Sequence, residues 1–173
     1  MGHRDHKHEA PRQVGIGAIS VSTSRTLETD ESGSLLAELA QRAGHPVLAR
    51  RLVKDDVDAI RRAVNEFGAD PRLRAVLLTG GTGITHNDVT LRALEPFVET
   101  WLPGFGELFR MLSFREIGSA AMLSRAALGI GRLGEVPLRR VFVAMPGSPE
   151  AVRLAMEGLI LPELGHLVYE LDR

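Results

Sequence analysis

The sequence contains no cysteine in its 173 residues. Disulfides, thiolate-bound metals, iron–sulfur clusters and cysteine nucleophiles are therefore excluded. An excess of one charge is also missing, because 21 basic and 22 acidic residues leave a net charge of −1. This balance argues against nucleic acid or an anionic membrane surface as a partner, since both are bound through a broad basic surface.

Long hydrophobic runs are absent as well. The apolar runs, such as residues 75–78, are far shorter than the roughly 20 residues of a membrane-spanning helix. No segment has the pattern of a signal peptide, so we expect a cytoplasmic protein. The length suits one domain, which we place at residues 14–173. Residues 1–13 are polar and contain three of the six histidines, and we expect them to form a disordered tail.

Aromatic residues are scarce at 5 %, whereas glycine is abundant, with 18 residues against an average of about 7 %. A glycine excess without low complexity indicates turns at which the backbone approaches another group closely. The turns between predicted strands and helices are therefore the first places to look for a site.

Segments with strand and helix patterns alternate along the chain. Apolar, β-rich stretches predict strands at residues 14–22, 46–53, 74–79 and 139–145. Helical spacing of apolar residues, with glycine or capping residues at the ends, predicts helices at residues 34–44, 56–68, 89–100, 105–112, 119–128, 149–160 and 162–170. This alternation predicts an α/β fold with a mainly parallel sheet that is covered by helices on both faces.

Ligands of such folds bind beyond the carboxyl ends of the strands. That rule directs attention to four segments, which are residues 20–25, 54–56, 79–88 and 145–149. The sharpest of them is TGGTGITHNDVT, residues 79–90. Three glycines at a strand end expose successive N–H groups, which favours binding of a phosphate. A tight turn between a strand and a helix, without any ligand, is the alternative interpretation.

Aspartates follow two of the predicted strands. Asp55 and Asp56 follow the second strand, and Asp88 lies five residues after Gly83. In a parallel sheet these carboxylates converge on the glycines, and two carboxylates beside a polyphosphate suit Mg²⁺. Aspartates directly before a helix are also good N-caps, so a capping role remains open for each of them.

Two further turns complete the candidate site. The segment SVSTSR, residues 20–25, contains four hydroxyl side chains and Arg25, which suit an anionic ligand, although an unliganded polar loop fits equally well. In the turn at residues 146–149 we expect Ser148 to be an N-cap and Pro149 to occupy the first helical position. Arg125 falls in a predicted helix, where we expect it to be solvated.

With these motifs assembled, the chain resembles the molybdenum cofactor biosynthesis proteins of the MoaB/Mog type, which are molybdopterin adenylyltransferases. The resemblance spans about residues 14–165. The segments that carry it are SVSTSR, DESGSLL, VKDD, TGGTGITHNDVT, PGFGELFRMLSFREIGSAAMLSR and MPGSPEAV. The resemblance implies a three-layer αβα sandwich, like that of the gephyrin G domain, assembled as a trimer or a hexamer.

The resemblance also implies a reaction and its residues. In that reaction ATP adenylylates the terminal phosphate of molybdopterin, pyrophosphate is released, and Mg²⁺ is required. The two essential aspartates of the family, which are catalytic and bind the metal, correspond to Asp55 and Asp88. The positions implied to bind substrate or nucleotide are Ser22, Arg25, Thr79, Gly80, Gly81, Thr82, Gly83, Pro146, Gly147 and Ser148.

One departure from the family pattern supports a second hypothesis. The family often has arginine directly before the second aspartate, and Asn87 stands there in this chain. A lost arginine removes a bidentate contact to phosphate. The alternative is therefore a molybdopterin-binding or scaffold protein that retains the fold and the pterin site without catalysis.

Overall fold

A computed structural model describes residues 10–173, which form one six-stranded sheet with the order β2-β1-β3-β6-β5-β4. The strands are β1 Gly15–Val21, β2 Val47–Val53, β3 Leu73–Thr79, β4 Val98–Trp101, β5 Ala127–Arg132 and β6 Arg139–Met145. Strands β1, β2, β3 and β6 are parallel, whereas β5 is antiparallel to β6 and β4 is antiparallel to β5. The prediction of a mainly parallel sheet is confirmed.

Six helices flank this sheet. They are α1 Glu31–Arg42, α2 Val57–Glu66, α3 Thr90–Leu94, α4 Pro103–Ile117, α5 Pro149–Ala155 and α6 Leu161–Leu171. A π-helical turn at Met156–Ile160 joins α5 to α6, and short 3₁₀ turns follow α2 and α4. Helices α1, α4, α5 and α6 enclose one hydrophobic core, whereas α2 and α3 cover the other face of the sheet. The expected three-layer αβα sandwich is therefore confirmed.

Two predicted helices are wrong over part of their length. Residues 89–100 contain only the five-residue α3, followed by the edge strand β4. The predicted helix at residues 119–128 is replaced by the 3₁₀ turn Gly118–Leu123 and the start of β5 at Ala127. Pairing between β4 and β5 overrides the local helical spacing, since strand pairing depends on neighbours that are distant in sequence. A Cβ atom at Gly129 in β5 would lie 2.5 Å from Val98, so close strand packing explains the glycine.

The start of the described chain is anchored on α6 and on the loop before β2. The carbonyl group of Pro11 lies against Gly165, and the N–H of Val14 donates to Nδ1 of His45 at 3.1 Å. Burial lowers the pKa of His45 and thereby favours the neutral ring that accepts this bond. Residues 1–9 of the predicted tail lie outside the described residues.

Across residues 10–173, none of the helices combines the length and the hydropathy that crossing a membrane requires.

Candidate functional site

The four segments singled out from the sequence meet at one edge of the sheet. Val21 pairs with Val53, Ser20 pairs with Thr79, and Thr79 pairs with Met145 in the parallel registers. The carboxyl ends of β2, β1, β3 and β6 are therefore level, and the loops that follow them lie side by side. This arrangement is the one that places ligands in α/β folds.

The glycine loop, residues 80–88, turns sharply away from β3. Gly80 and Gly81 have φ angles of +100° and +65°, in the region that favours glycine. A Cβ atom at Gly80 would also collide with the carbonyl oxygen of Val21, and one at Gly147 would lie 3.2 Å from the Cα of Gly80. The glycines thus allow three loops to approach one another at backbone distance.

Hydrogen bonds hold both ends of this turn. The N–H of Gly80 donates to the carbonyl of Met145 at 2.9 Å, and the buried Thr90 hydroxyl donates to the carbonyl of Gly80 at 2.7 Å. The N–H groups of Gly81 and Thr82, in contrast, donate to no acceptor within residues 10–173. Unpaired N–H groups at such a turn favour an anionic ligand.

Asp88 closes the other side of the glycine loop. One oxygen of its carboxylate accepts the hydroxyl of Thr85 at 2.6 Å and the N–H of Thr85 at 2.8 Å. Partial burial raises the pKa of Asp88, but the bonds from Thr85, the N–H of Gly83 and the charge of Arg125 together keep it below its ordinary value. Val89, rather than Asp88, precedes α3, and it makes no side-chain cap. The capping alternative for Asp88 is therefore wrong.

The adjacent Asp55 and Asp56 have different structural roles. Asp56 caps α2, because its carboxylate accepts the N–H of Ala59 at 2.8 Å. Asp55 makes no cap; its carboxylate accepts the hydroxyl of Thr23, at 2.8 Å, from the turn after β1. The capping alternative thus holds for Asp56, and Asp55 stays available at the edge of the sheet where the glycine loop lies.

The turn after β1 is largely exposed, but Arg25 ties it to α1. Arg25 donates to the hydroxyl of Ser32 at 3.1 Å and lies 4.0 Å from the carboxylate of the buried Asp30. The hydroxyl of Ser32 in turn donates to the carbonyl of Gly147 at 2.7 Å. Arg25 therefore supports the turn after β6 through Ser32. Ser22 lies in the same turn, where its hydroxyl accepts the N–H of Ser24.

The turn after β6 completes the site. Ser148 caps α5 by accepting the N–H of Ala151 at 3.2 Å, and Pro149 begins the helix, as predicted. The Thr79 hydroxyl donates to the carbonyl of Pro146 at 3.0 Å. Thr79 thus positions this turn, and its hydrogen is already engaged within the protein.

A cavity of about 190 Å³ lies between the glycine loop, the turn after β6 and α4. Its polar side carries Thr82, Gly83 and Ser148, and its apolar side carries Phe109 and Ile117. The sequence did not predict this apolar wall, because helical spacing identifies a buried face but not which loop that face meets. A larger cavity, of about 720 Å³, lies beyond Pro149. Its charged lining consists of Glu116, Glu150, Glu157 and Arg153, and Arg153 is paired with Glu157, so the net negative charge is unsuited to phosphate.

Arg125 is the residue of this region that sequence reasoning missed. It lies between the 3₁₀ turn and β5 rather than in a helix, and its guanidinium donates to the carbonyls of Gly83 and Asp88, each at 2.6 Å. Arg125 is exposed, as expected of a solvated residue, but its guanidinium also bonds the glycine loop, which the sequence did not predict. Its position just after MLS in the sequence carries no local signal of a contact some 40 residues away.

We expect Thr90→Val to lower the free energy of unfolding by roughly 1–3 kcal/mol. The substitution nearly preserves shape but leaves the Gly80 carbonyl without its buried donor, and an unsatisfied buried acceptor costs about that much. Urea denaturation would measure the change. Thr100→Val, at an exposed position in β4, is the control, and an equal loss in the two variants would contradict this account of the glycine loop.

Comparison with known proteins identifies the family of this chain. The sequence profile described as "Probable molybdopterin binding domain" matches residues 17–166. Molybdenum cofactor biosynthesis protein B of Bacillus cereus is 49 % identical over 174 residues, covering 100 % of this chain and 99 % of the relative.

Solved structures show the same fold. A crystal structure of molybdenum cofactor biosynthesis protein B has a TM-score of 0.85 at 49 % identity, covering 95 % of this chain and 99 % of the other. The tungsten cofactor synthesizing protein MoaB from Pyrococcus furiosus has a TM-score of 0.79 at 31 % identity, covering 95 % and 100 %. The chain therefore belongs to the family of molybdenum cofactor biosynthesis proteins that share the probable molybdopterin binding domain.

Proposed function

We propose that this chain acts in molybdenum cofactor biosynthesis as a molybdopterin adenylyltransferase. In the proposed step, an oxygen of the terminal phosphate of molybdopterin attacks the α-phosphorus of ATP. The bond from that phosphorus to the bridging oxygen breaks, so the products are adenylylated molybdopterin and pyrophosphate. The observation that carries the proposal is the pair of unpaired N–H groups, at Gly81 and Thr82, in the same loop as Asp88.

Phosphoryl transfer of this kind requires little covalent chemistry from the protein. Catalysis depends on holding the two phosphates in line and on neutralising their charge. The glycine loop offers N–H donors, and the turn after β6, with Pro146, Gly147 and Ser148, faces it across the cavity of about 190 Å³. The apolar side of that cavity suits the flat ring of an organic ligand whose phosphate lies on the loop.

The donor set at this edge fits Mg²⁺. Asp55 and Asp88 supply two carboxylates, and within residues 10–173 no group of three or more histidine or acidic side chains forms a complete metal cage. Mg²⁺ commonly binds one or two carboxylates together with substrate phosphates and water. Asp55 and Asp88 would therefore hold the ion that accompanies ATP, and the ion would supply charge neutralisation at the phosphates.

A second candidate function is binding of molybdopterin without catalysis. The observation that favours it is Asn87, which is exposed and occupies the position where the family often has arginine. Calorimetry separates the two functions: binding of molybdopterin by a protein that does not turn over ATP supports the second. Arg125 favours the enzyme, because it brings a cationic group to the same loop.

We also propose that copies of this chain associate into a trimer or a hexamer. The segment from α4 through the following 3₁₀ turn exposes several large apolar side chains. They are Leu108, Met111, Phe114, Ile117, Met122 and Leu123. A cluster of exposed apolar side chains of this kind is typical of a protein interface.

The test of the enzyme is pyrophosphate release from ATP, Mg²⁺ and molybdopterin. Asp55→Asn is expected to lower the rate by at least about tenfold, because the proposed metal site loses one of two negative ligands. Asp56→Asn is the matched control: asparagine also caps helices well, so its rate should equal that of the wild type. Equal rates in all three proteins would exclude a role for Asp55, and no release by the folded wild type would refute the enzyme.

A further inference from the structure

Arg125 makes three hydrogen bonds to the glycine loop. Its own N–H donates to the carbonyl of Thr82 at 2.9 Å, and its guanidinium donates through Nε to Gly83 and through Nη2 to Asp88, both at 2.6 Å. These acceptors are main-chain carbonyls, so the contacts constrain the path of the loop rather than a single side chain. Arg125 thus bridges the two ends of the exposed segment at residues 84–87.

The shape of the guanidinium group suits this task. Its donors form a rigid planar fork, so one side chain can hold two carbonyls at a set separation. The carboxylate of Asp88 reinforces the closure by accepting both donors of Thr85. The four residues between Gly83 and Asp88, which these contacts enclose, are exposed to solvent. Without the fork, that exposed segment would regain conformational freedom, which opposes a single geometry.

The loop has no cation of its own. Residues 79–90 contain neither lysine nor arginine, and the exposed His86 is their one basic side chain. Arg25, on the neighbouring turn, is engaged with Asp30 and Ser32. The guanidinium of Arg125 therefore brings a permanent positive charge to the loop that holds the unpaired N–H groups of Gly81 and Thr82.

We propose that Arg125 is a positioning residue of this site. It holds the glycine loop closed. The same phosphate group is then faced by the N–H groups of Gly81 and Thr82 and by the carboxylate of Asp88. The consequence for catalysis rests on the proposed function, whereas the consequence for the order of the loop does not. The role acts through the loop and requires no contact between Arg125 and the reacting atoms.

The structure offers a matched control for the chemistry of this contact. Arg61 in α2 also donates to two main-chain carbonyls, those of Arg92 and Ala93, at 3.2 and 3.3 Å. It braces the end of α3 that lies away from the glycine loop. Substitution of Arg61 therefore tests how far the loss of any arginine that bridges two carbonyls changes loop exchange and pyrophosphate release.

The experiment compares Arg125→Ala, Arg125→Lys and Arg61→Lys with the wild type in the full-length protein. Hydrogen–deuterium exchange is measured for peptides that cover residues 80–90. Pyrophosphate release and calorimetric affinity for molybdopterin are measured on the same samples. Lysine keeps the charge but cannot span both carbonyls, which separates positioning from charge alone.

We expect exchange at residues 80–90 to rise at least about tenfold in both Arg125 variants, since neither variant can bridge the carbonyls of Gly83 and Asp88. The value of kcat should fall at least about tenfold with a smaller change in KM, because the loop must be reordered at each turnover. Guanidinium chloride should restore part of the activity of Arg125→Ala, while NaCl at equal ionic strength should not. Arg61→Lys should match the wild type in both measurements.

Unchanged exchange at residues 80–90 in Arg125→Ala would overturn the proposal. Faster exchange with unchanged turnover and unchanged molybdopterin affinity would also overturn it, because the bridge would then be structural only. If the wild type releases no pyrophosphate, the proposed enzyme fails, but loop exchange and molybdopterin affinity still decide the role of Arg125. If Arg125→Ala loses thermal stability and Arg125→Lys does not, the comparison of Arg125→Lys with the wild type decides the proposal.

Discussion

Asp88→Asn is expected to lower the rate of pyrophosphate release by at least about 100-fold, while the protein remains folded. Removal of one electrostatic group at a phosphoryl or acyl site commonly costs a factor of about 10²–10³. The asparagine side chain has almost the same shape, and its remaining oxygen can still accept the N–H and hydroxyl of Thr85. The change therefore removes the charge and largely preserves the loop.

The measurement is a coupled assay for pyrophosphate across a range of Mg²⁺ concentrations. If Asp88 holds the ion, the Mg²⁺ concentration for half-maximal rate should rise along with the loss of rate. Asp58→Asn, at an exposed position in the first turn of α2, controls for the loss of one negative charge. A variant at Asp88 that kept the rate and Mg²⁺ dependence of the wild type would show that this carboxylate is not part of the reaction.

Gly80→Ala is expected to lower the free energy of unfolding by roughly 3 kcal/mol or more. Two costs add at this position: a φ of +100°, which a residue with a Cβ rarely adopts, and a collision of that Cβ with the carbonyl oxygen of Val21. The same collision would push the glycine loop away from β1. Binding of molybdopterin should therefore weaken together with stability.

Gly44→Ala separates these two costs. Gly44 has a similar φ of +86°, but a Cβ atom at that position would have no neighbouring atom within 4 Å. Its substitution should cost only about 1–2 kcal/mol, from backbone strain. Urea denaturation measures the loss in free energy of unfolding for each variant. The difference between the two losses is the contribution of the close approach between the loops after β1 and β3. Equal losses would mean that the contact with Val21 relaxes without cost.

Local patterns were enough to identify the four parallel strands of the sheet and the position of the site. Strands β1, β3 and β6 contain short apolar runs bounded by turn residues, and such segments have few other stable arrangements. The carboxyl ends of the four parallel strands meet at one edge whatever their exact register, so the glycine loop and Asp55 fell on the same edge. The N-cap at Ser148 was equally predictable, because capping depends on neighbours within three residues.

Other features followed from contacts between distant parts of the chain. The choice between Asp55 and Asp56 as the cap of α2 depends on where the helix begins, and the turn after β1 contributes the hydroxyl of Thr23 that Asp55 accepts. Strand β4 forms because β5 offers it an edge, although its own spacing fits a helix. The sequence alone could not resolve either case, since local energies differ too little.

Residue chemistry and short-range periodicity thus determined the fold class, the strand ends that carry the site and the glycines that shape it. Tertiary packing decided that Asp55 meets Thr23, which face of α4 lines the cavity, and that Arg125 closes a loop some 40 residues before it. The physical reason is range: steric preference, capping and periodic burial act over a few residues. A guanidinium between two carbonyls forms only after the sheet has brought those segments together.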